Sequence, residues 1–250
     1  FAPFTMAVGF VFLFAGALID QLLLLAIGGL ITAVALVIWF RPQKSEQLAL
    51  DEIGTEPREP GQLALAVAGP TSNGWWGTIV LLLVLATALV SIVASYYYLG
   101  EGPGSWAAEA PANLLEPGLA TLLGLATAAS VAWCVRAIRR NQLRERGLGL
   151  AAGVALTIAS LWLGVRAFAN AGLDPQYSAY ASAFVLMLGF QWLVGLLLLV
   201  MLAVALLWSW RKPRDPRGEA TVYNSSLVAY FAGISGVIAF VVLYLTPRVL

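Results

Sequence analysis

Histidine is absent from this 250-residue chain, and cysteine occurs once, as Cys134. Histidine and cysteine side chains provide most of the protein ligands for haem, copper and zinc. We therefore expect no haem, copper or zinc centre held by this chain alone. A single cysteine also excludes an internal disulfide. Its position within an apolar run predicts a small buried side chain.

Charged residues are scarce as well. They make up 11% of the chain against 60% hydrophobic residues, and the mean hydropathy is +0.85. In soluble domains about a quarter of the residues are charged. This composition predicts an all-α polytopic membrane protein. The chain has no basic tract, which argues against a nucleic-acid partner.

Seven apolar runs are long enough, as helices, to cross a hydrocarbon core of about 30 Å. They lie at residues 3–19, 22–40, 78–94, 117–136, 147–166, 181–210 and 221–246. The sequence thus predicts a transmembrane hairpin (1–40), an inner hydrophilic loop (41–73) and a five-helix transmembrane bundle (74–250). Several runs end in tryptophan or tyrosine, which favour the lipid–water boundary. The predicted aromatic belt comprises Trp75, Trp76, Tyr96, Tyr97, Tyr98, Trp208 and Trp210.

The basic residues predict the orientation, because lysine and arginine collect in cytoplasmic loops. Twelve of the fourteen fall in three segments, 41–73, 136–146 and 211–217. With seven spans these segments share one side of the membrane, whereas the opposite loops carry mainly acidic residues. The N-terminus is therefore predicted inside and the C-terminus outside. Arg166 falls near an outer helix end, where it is predicted to anchor the helix at the headgroups.

The predicted spans carry no acid, lysine or histidine near their centres, although such residues usually mark a proton or ion path. Their polar groups are mainly hydroxyls and amides, for which we predict hydrogen bonds within or between helices. Gly149 and Gly153 form a GxxxG pair that favours close helix packing. There is no phosphate-binding loop or nucleophile elbow, so we assign no catalytic residue. The polar groups considered are Thr87, Ser91, Gln191, Asn224, Ser225 and Ser226.

Three segments of the chain combine aromatic and small residues. The third run carries Trp75-Trp76-Gly77-Thr78, Val84-Leu85-Ala86-Thr87 and Ala94-Ser95-Tyr96-Tyr97-Tyr98-Leu99. The sixth carries Tyr180, Phe184 and the sequence GFQWLV at 189–194, and the seventh carries NSSLVAYFAG at 224–233. The segments of the third run resemble W-W-G-M, T-E-A-T and A-S-Y-F-Y-L in subunit III of the haem–copper terminal oxidases. Those of the sixth run resemble Y-x-x-x-F and G-F-H-G-L-H-V of the same subunit, and that of the seventh run resembles N-A-T-L-Y-W-H-F-V-D. The layout of the whole chain, a hairpin, an inner loop and five helices, is similar as well.

The chain departs from this family at its polar positions. Leu85 stands where the family has a membrane glutamate, Gln191 and Val194 replace two histidines, and Tyr230 and Gly233 replace a histidine and an aspartate. The family associates the glutamate and histidines with lipid headgroups and with proton uptake in subunit I, so those roles are not transferred. The aromatic and packing framework is what remains. The resemblance thus implies a divergent subunit III with a structural contribution.

The resemblance implies a non-catalytic membrane subunit of a respiratory oxidase that reduces O₂ to water with proton translocation. In the family, haem and copper are held by subunit I, subunit III packs against it, and a cleft between the hairpin and the five helices holds phospholipids. Trp75 and Trp76, at the inner end of the third helix, are the candidate lipid contacts. The expected location is the bacterial cytoplasmic membrane. Because the chain begins at Phe1, it is also compatible with the subunit III portion of a fused subunit I/III chain.

Two other functions fit the same residues. A stand-alone transporter or channel would need a polar site near the bilayer midplane, typically at broken helices. The only candidates for such a site are hydroxyl groups and Gln191. A scaffold or assembly subunit of another respiratory complex is the third alternative, and its copurifying partners would distinguish it from an oxidase subunit.

Overall fold

The computed structural model describes residues 2–19, 21–39, 73–100, 111, 113–173, 178–211 and 216–249. Within these ranges every regular element is helical, as the composition predicts. The last helix continues through a π-helical turn (Val241–Leu245) into a final α-helical turn (Thr246–Val249). The helices are α1 (Ala2–Leu18), α2 (Leu22–Trp39), α3 (Asn73–Gly100), α4 (Leu115–Arg139), α5 (Leu143–Ala171), α6 (Ala179–Arg211) and α7 (Pro216–Phe240).

The chain divides into two compact units, Phe1–Leu63 and Ala64–Leu250. In the first unit, α1 and α2 pack against each other, with their backbones in close approach. A Cβ atom added to Gly28 would lie 2.5 Å from the backbone nitrogen of Leu13, so only glycine fits at this crossing. The predicted inner loop lies outside the described residues.

The second unit contains helices α3 to α7. Helix α4 packs against α5 and α7, α6 packs against α5 and α7, and α3 lies on α6 and α7. One core cluster centres on fully buried aliphatic residues such as Val131, Leu150 and Leu202. A second is rich in aromatic rings, including Tyr180 and Phe184. Many large apolar side chains point outward instead, which suits a surface that faces lipid.

Five helices are long and apolar enough to cross a membrane, which identifies an integral membrane protein. In the described residues of the hairpin, the apolar stretches are shorter, Phe4–Leu13 and Leu23–Ala35. The prediction of an all-α membrane protein is therefore confirmed, while the count of seven spans and their orientation stay predictions. The five spans are Gly74–Gly100, Leu115–Arg139, Leu143–Ala171, Ala179–Arg211 and Gly218–Arg248.

The α4–α5 pair depends on a close crossing at Gly149. A Cβ atom added there would lie 2.5 Å from Cys134 Sγ and 3.3 Å from the Ser130 carbonyl oxygen. The Ser130 hydroxyl donates to the Gly149 carbonyl across the crossing, at 2.8 Å. Cys134 is fully buried, which confirms its prediction. Gly149 thus acts as the predicted packing residue.

We predict that Gly149→Val destabilises the bundle by about 1–3 kcal/mol, because the new side chain overpacks the α4–α5 crossing. Gly147→Val is the matched control. It makes the same substitution in the same helix, at a position where an added Cβ atom meets no other atom within 4 Å. Thermal unfolding of both variants in detergent measures the difference, and equal melting temperatures would contradict the role of Gly149.

Candidate functional site

The three motif segments meet inside the second unit. The rings of Tyr96 on α3 and Tyr180 on α6 are in contact, with centroids 6.3 Å apart. Gln191 on α6 donates from Nε2 to the Ala232 carbonyl of α7 at 3.1 Å, and Ser235 donates to Gln191 Oε1 at 3.0 Å. Segments that are far apart in sequence therefore form one continuous set of contacts across α3, α6 and α7.

The retained aromatic residues of these motifs are mostly buried. Tyr96, Tyr180 and Phe184 are at most 2% exposed. The assignment of Tyr96 to the aromatic belt is wrong, because its ring packs against α6 in the core. The Tyr180 hydroxyl donates to the Leu243 carbonyl at 2.9 Å, which adds a link from α6 to the end of the last helix. These rings therefore hold helices together rather than mark a membrane boundary.

The positions that lack the family's polar residues are also largely internal. Leu85 and Val194 belong to the aliphatic core cluster, and Gly233 is buried. Tyr230, by contrast, is 43% exposed. At these positions Gln191 places an amide in the interior, and its hydrogen bonds with Ala232 and Ser235 both reach α7. Leu85 and Val194 thus contribute apolar packing to the core.

A cavity of ≈ 90 Å³ lies between helices α4, α5, α6 and α7. It is on the side of the bundle where α4 and α6 begin and α5 and α7 end. None of the described residues that line it is charged. Its polar side chains are Thr121, Thr127, Thr157, Ser160, Gln191, Trp192 and Tyr244.

The serine and threonine hydroxyl groups that line the cavity already donate their protons to carbonyl oxygens. Thr121 donates to the Pro117 carbonyl at 2.9 Å, and Thr157 donates to its own helix at 2.8 Å. Ser160 on α5 donates to the Ala120 carbonyl on α4 at 2.7 Å. A carbonyl oxygen can only accept, so each hydroxyl must be the donor in these bonds. The oxygens of these hydroxyls can therefore act toward the cavity only as acceptors.

Two donors on the cavity wall have no partner in the part of the chain that the structure describes. They are the indole Nε1–H of Trp192 and the hydroxyl of Tyr244, both buried. The Trp192 ring packs on Phe168 at a centroid distance of 6.0 Å, and the Tyr244 ring packs on Phe184 at 5.4 Å and Phe240 at 5.6 Å. Because neighbouring rings hold both side chains in place, neither donor turns easily toward a carbonyl. An unpartnered buried donor costs about 1–3 kcal/mol.

A buried ion pair lies at the opposite end of α5. Arg146 is 1% exposed and its guanidinium is 4.0 Å from the carboxylate of Glu219 on α7, which is 40% exposed. The sequence placed Arg146 in a basic loop before the span, and that assignment is wrong because α5 already begins at Leu143. One sequence signal could have indicated the buried position of Arg146. It is Glu219, an acidic residue near the beginning of α7, at the same end of the bundle as Arg146.

A second ion pair joins α4 and α5 near the cavity end of the bundle. Arg166 lies 3.1 Å from Glu116, and Asn170 donates to the same carboxylate at 2.9 Å. The Arg166 side chain is 55% exposed. This exposure at a helix end agrees with the predicted surface position, while its acidic partner was missed.

The predicted lipid contacts lie away from these features. Trp75 and Trp76 occupy the first turn of α3, with their rings in edge contact at 4.9 Å. Trp76 is 58% exposed. Neither residue lines the cavity, and their contact with lipid stays a prediction.

The chain matches no protein-family model and no curated protein. Its resemblance to oxidase subunit III therefore rests on the motif residues alone.

We predict that Glu219→Met lowers the melting temperature, because it removes the carboxylate that faces the buried Arg146. We expect a loss of about 2 kcal/mol, below the usual cost of breaking a buried pair because Glu219 is partly exposed. Adding Arg146→Met should restore much of the loss, since the buried guanidinium is then removed together with its carboxylate.

The matched control adds Arg144→Met to Glu219→Met instead. Arg144 lies one half-turn earlier in α5 and is exposed, so its removal should restore nothing. Thermal unfolding in detergent measures all four proteins, and equal recovery by the two double variants would contradict the ion pair.

Proposed function

We propose that this chain is a non-catalytic, subunit III-like component of a respiratory haem–copper oxidase. In this proposal it packs against and stabilises a catalytic subunit I, which holds the haem and copper and reduces O₂ to water with proton translocation. The observation that carries the proposal is the meeting of the three motif segments. Tyr96 contacts Tyr180 and Gln191 bonds Ala232, so motifs recognised separately in sequence belong to one packed unit.

The character of the retained residues supports a structural role. The motif positions that match the family include the buried rings of Tyr96, Tyr180 and Phe184, which join helices. Two positions that lost the family's polar residues, Leu85 and Val194, now belong to the apolar core. Nothing in this arrangement requires the chain itself to move electrons or protons, so the redox centres are assigned to the partner.

The proposal includes seven spans with the N-terminus inside and the C-terminus outside, in a bacterial cytoplasmic membrane. Two contacts support the alternating directions of the bundle helices. Arg146 pairs with Glu219, which brings together the N-terminal ends of α5 and α7. Arg166 pairs with Glu116, which brings the C-terminal end of α5 to the beginning of α4. Phospholipids are part of the proposal as well, with Trp75 and Trp76 as the predicted contacts.

The test is purification from the native membrane in mild detergent, through a tag on this chain. We expect a-type haem in the reduced-minus-oxidised spectrum, copper by metal analysis, and a large copurifying catalytic chain. If subunits I and III are fused, the tagged chain itself should be oversized. A colourless product that runs alone would contradict the proposal, and copurification with a different redox complex would indicate the scaffold function instead.

The cavity favours a stand-alone transporter as the second candidate. It lies between four helices and adjoins the π-helical turn at Tyr244, where the regular helix is interrupted. Its lining residues carry no charge, which makes an uncharged solute the expected cargo. Reconstituted vesicles that take up such a solute without any copurifying redox subunit would support this function over the oxidase subunit.

A further inference from the structure

Four exposed arginines surround the turn between α4 and α5. They are Arg136, Arg139, Arg140 and Arg144. Their side chains form no hydrogen bond or ion pair with another residue in the part of the chain that the structure describes. By contrast, Arg146, Arg166 and Arg248 each contact a carboxylate or a carbonyl oxygen of the protein. The four exposed guanidinium groups therefore remain available to a ligand from outside the bundle.

A short turn holds these arginines in place. Only residues 140–142 separate α4 from α5. Asn141 adopts a left-handed backbone conformation, with φ 56°, which asparagine tolerates better than most residues. The backbone N–H groups of Asn141 and Gln142 donate to carbonyls in the last turn of α4, at 3.0 and 2.9 Å. Because backbone hydrogen bonds close the turn, Arg140 and Arg144 flank a defined segment of the surface.

Exposed apolar side chains continue each arginine face along its helix. On α4, Trp133, Arg136 and Arg140 have the spacing i, i+3, i+7, which places them on one side of the helix. On α5, Leu148 follows Arg144 at the spacing i+4. Trp133 is 41% exposed and Leu148 is 55% exposed. Both helices are long and apolar enough to cross a membrane, so each presents positive charge at its end and an apolar surface beside that charge.

A side-chain hydrogen bond joins the two helix faces. Trp133 Nε1 donates to a carboxylate oxygen of Glu145 on α5, at 3.3 Å. Glu145 follows Arg144 directly and precedes Leu148 by one helical turn, so this bond brings the outward sides of α4 and α5 together. Glu145 is the only acidic residue in the segment 136–146, where the exposed arginines outnumber it. The arginine surface, as we call it, comprises Trp133, Arg136, Arg139, Arg140, Arg144 and Leu148.

An anionic phospholipid matches both parts of the arginine surface. Guanidinium groups bind phosphate oxygens through paired, charge-assisted hydrogen bonds. Helix α5 also directs its first N–H groups toward the turn, where Gln142 provides no side-chain cap, and a helix N-terminus favours anions. An acyl chain covers the exposed Trp133 and Leu148 side chains. Inorganic phosphate or an acidic soluble protein would match the arginines but leave these apolar side chains uncovered.

We propose that the arginine surface binds one anionic phospholipid, with its phosphate on Arg140 and Arg144 and an acyl chain on Trp133 and Leu148. The site is separate from the predicted lipid contacts at the beginning of α3, because α3 packs against α6 and α7. It is also independent of the oxidase proposal. Binding is measured on the purified chain, whether or not haem copurifies.

The experiment titrates the full chain, stripped of lipid in a neutral detergent, with dioleoylphosphatidylglycerol, and native mass spectrometry counts the bound lipids. We expect one lipid per chain to bind ahead of any other. Dioleoylphosphatidylcholine, which has no net charge, should bind about tenfold more weakly. Equal binding of the two lipids would overturn the proposal. Competition by glycerol 3-phosphate, which has no acyl chain, would overturn it as well and indicate a site for soluble phosphates.

Removal of single charges tests the position of the site. Arg140→Gln and Arg144→Gln change exposed side chains, and each should raise the Kd of the first phosphatidylglycerol about fivefold. Arg211→Gln is the matched control, because it removes the same charge from an exposed arginine at the end of α6, on the same end of the bundle. Its Kd should stay within about twofold of the unsubstituted chain. An equal loss in all three variants would indicate general charge attraction and overturn the proposal.

A photoactivatable phosphatidylglycerol locates the acyl chain. With a diazirine on that chain, the first bound lipid should label peptides that contain Trp133 or Leu148. In the double variant Arg140→Gln/Arg144→Gln, we expect this labelling to fall at least about fivefold at the same lipid concentration. It should persist in Arg211→Gln. Labelling concentrated at the beginning of α3 would place the lipid at the other predicted contacts and overturn the assignment to the arginine surface.

Discussion

The structure depends first on the need to satisfy polar groups where there is no water. Most hydroxyl side chains in the spans meet this need locally. Thr87, Ser91 and Ser225 each donate to the carbonyl four residues earlier in the same helix. Only a few polar groups reach across to another helix, and these determine how α4 to α7 fit together. Gln191 and Arg146 are the main examples, because each joins α7 to a neighbouring helix.

Close packing is the second requirement, since lipid competes with protein for every apolar side chain. Glycine meets it at the two tightest crossings, Gly28 in the hairpin and Gly149 between α4 and α5. Elsewhere the helices separate enough to leave a cavity, with Gly124 and Gly164 among its lining. Glycine thus has two consequences in this bundle. It allows direct contact between helices where they converge, and it leaves open volume where they diverge.

The helices were predictable from sequence because long uncharged runs have few alternatives in a membrane. The error at Arg146 has a clear cause. Hydropathy ends a span at its first charge, whereas α5 begins before the apolar run and buries Arg146 against Glu219, which is 73 residues away. The cavity could not be predicted either. It requires Thr121, Ser160, Trp192 and Tyr244 from four helices to converge, and no local pattern encodes that convergence.

Gln191 provides a polar side chain in the bundle without a titratable group. The resembling family has histidine here, which can change its charge near neutral pH. Glutamine has donors and an acceptor but no charge to gain or lose. In this chain its amide nitrogen donates to the Ala232 carbonyl, and its amide oxygen accepts from the Ser235 hydroxyl. Both partners lie on α7. The side chain therefore joins α7 to α6 at every physiological pH, beside a cavity whose lining carries no charge among the described residues.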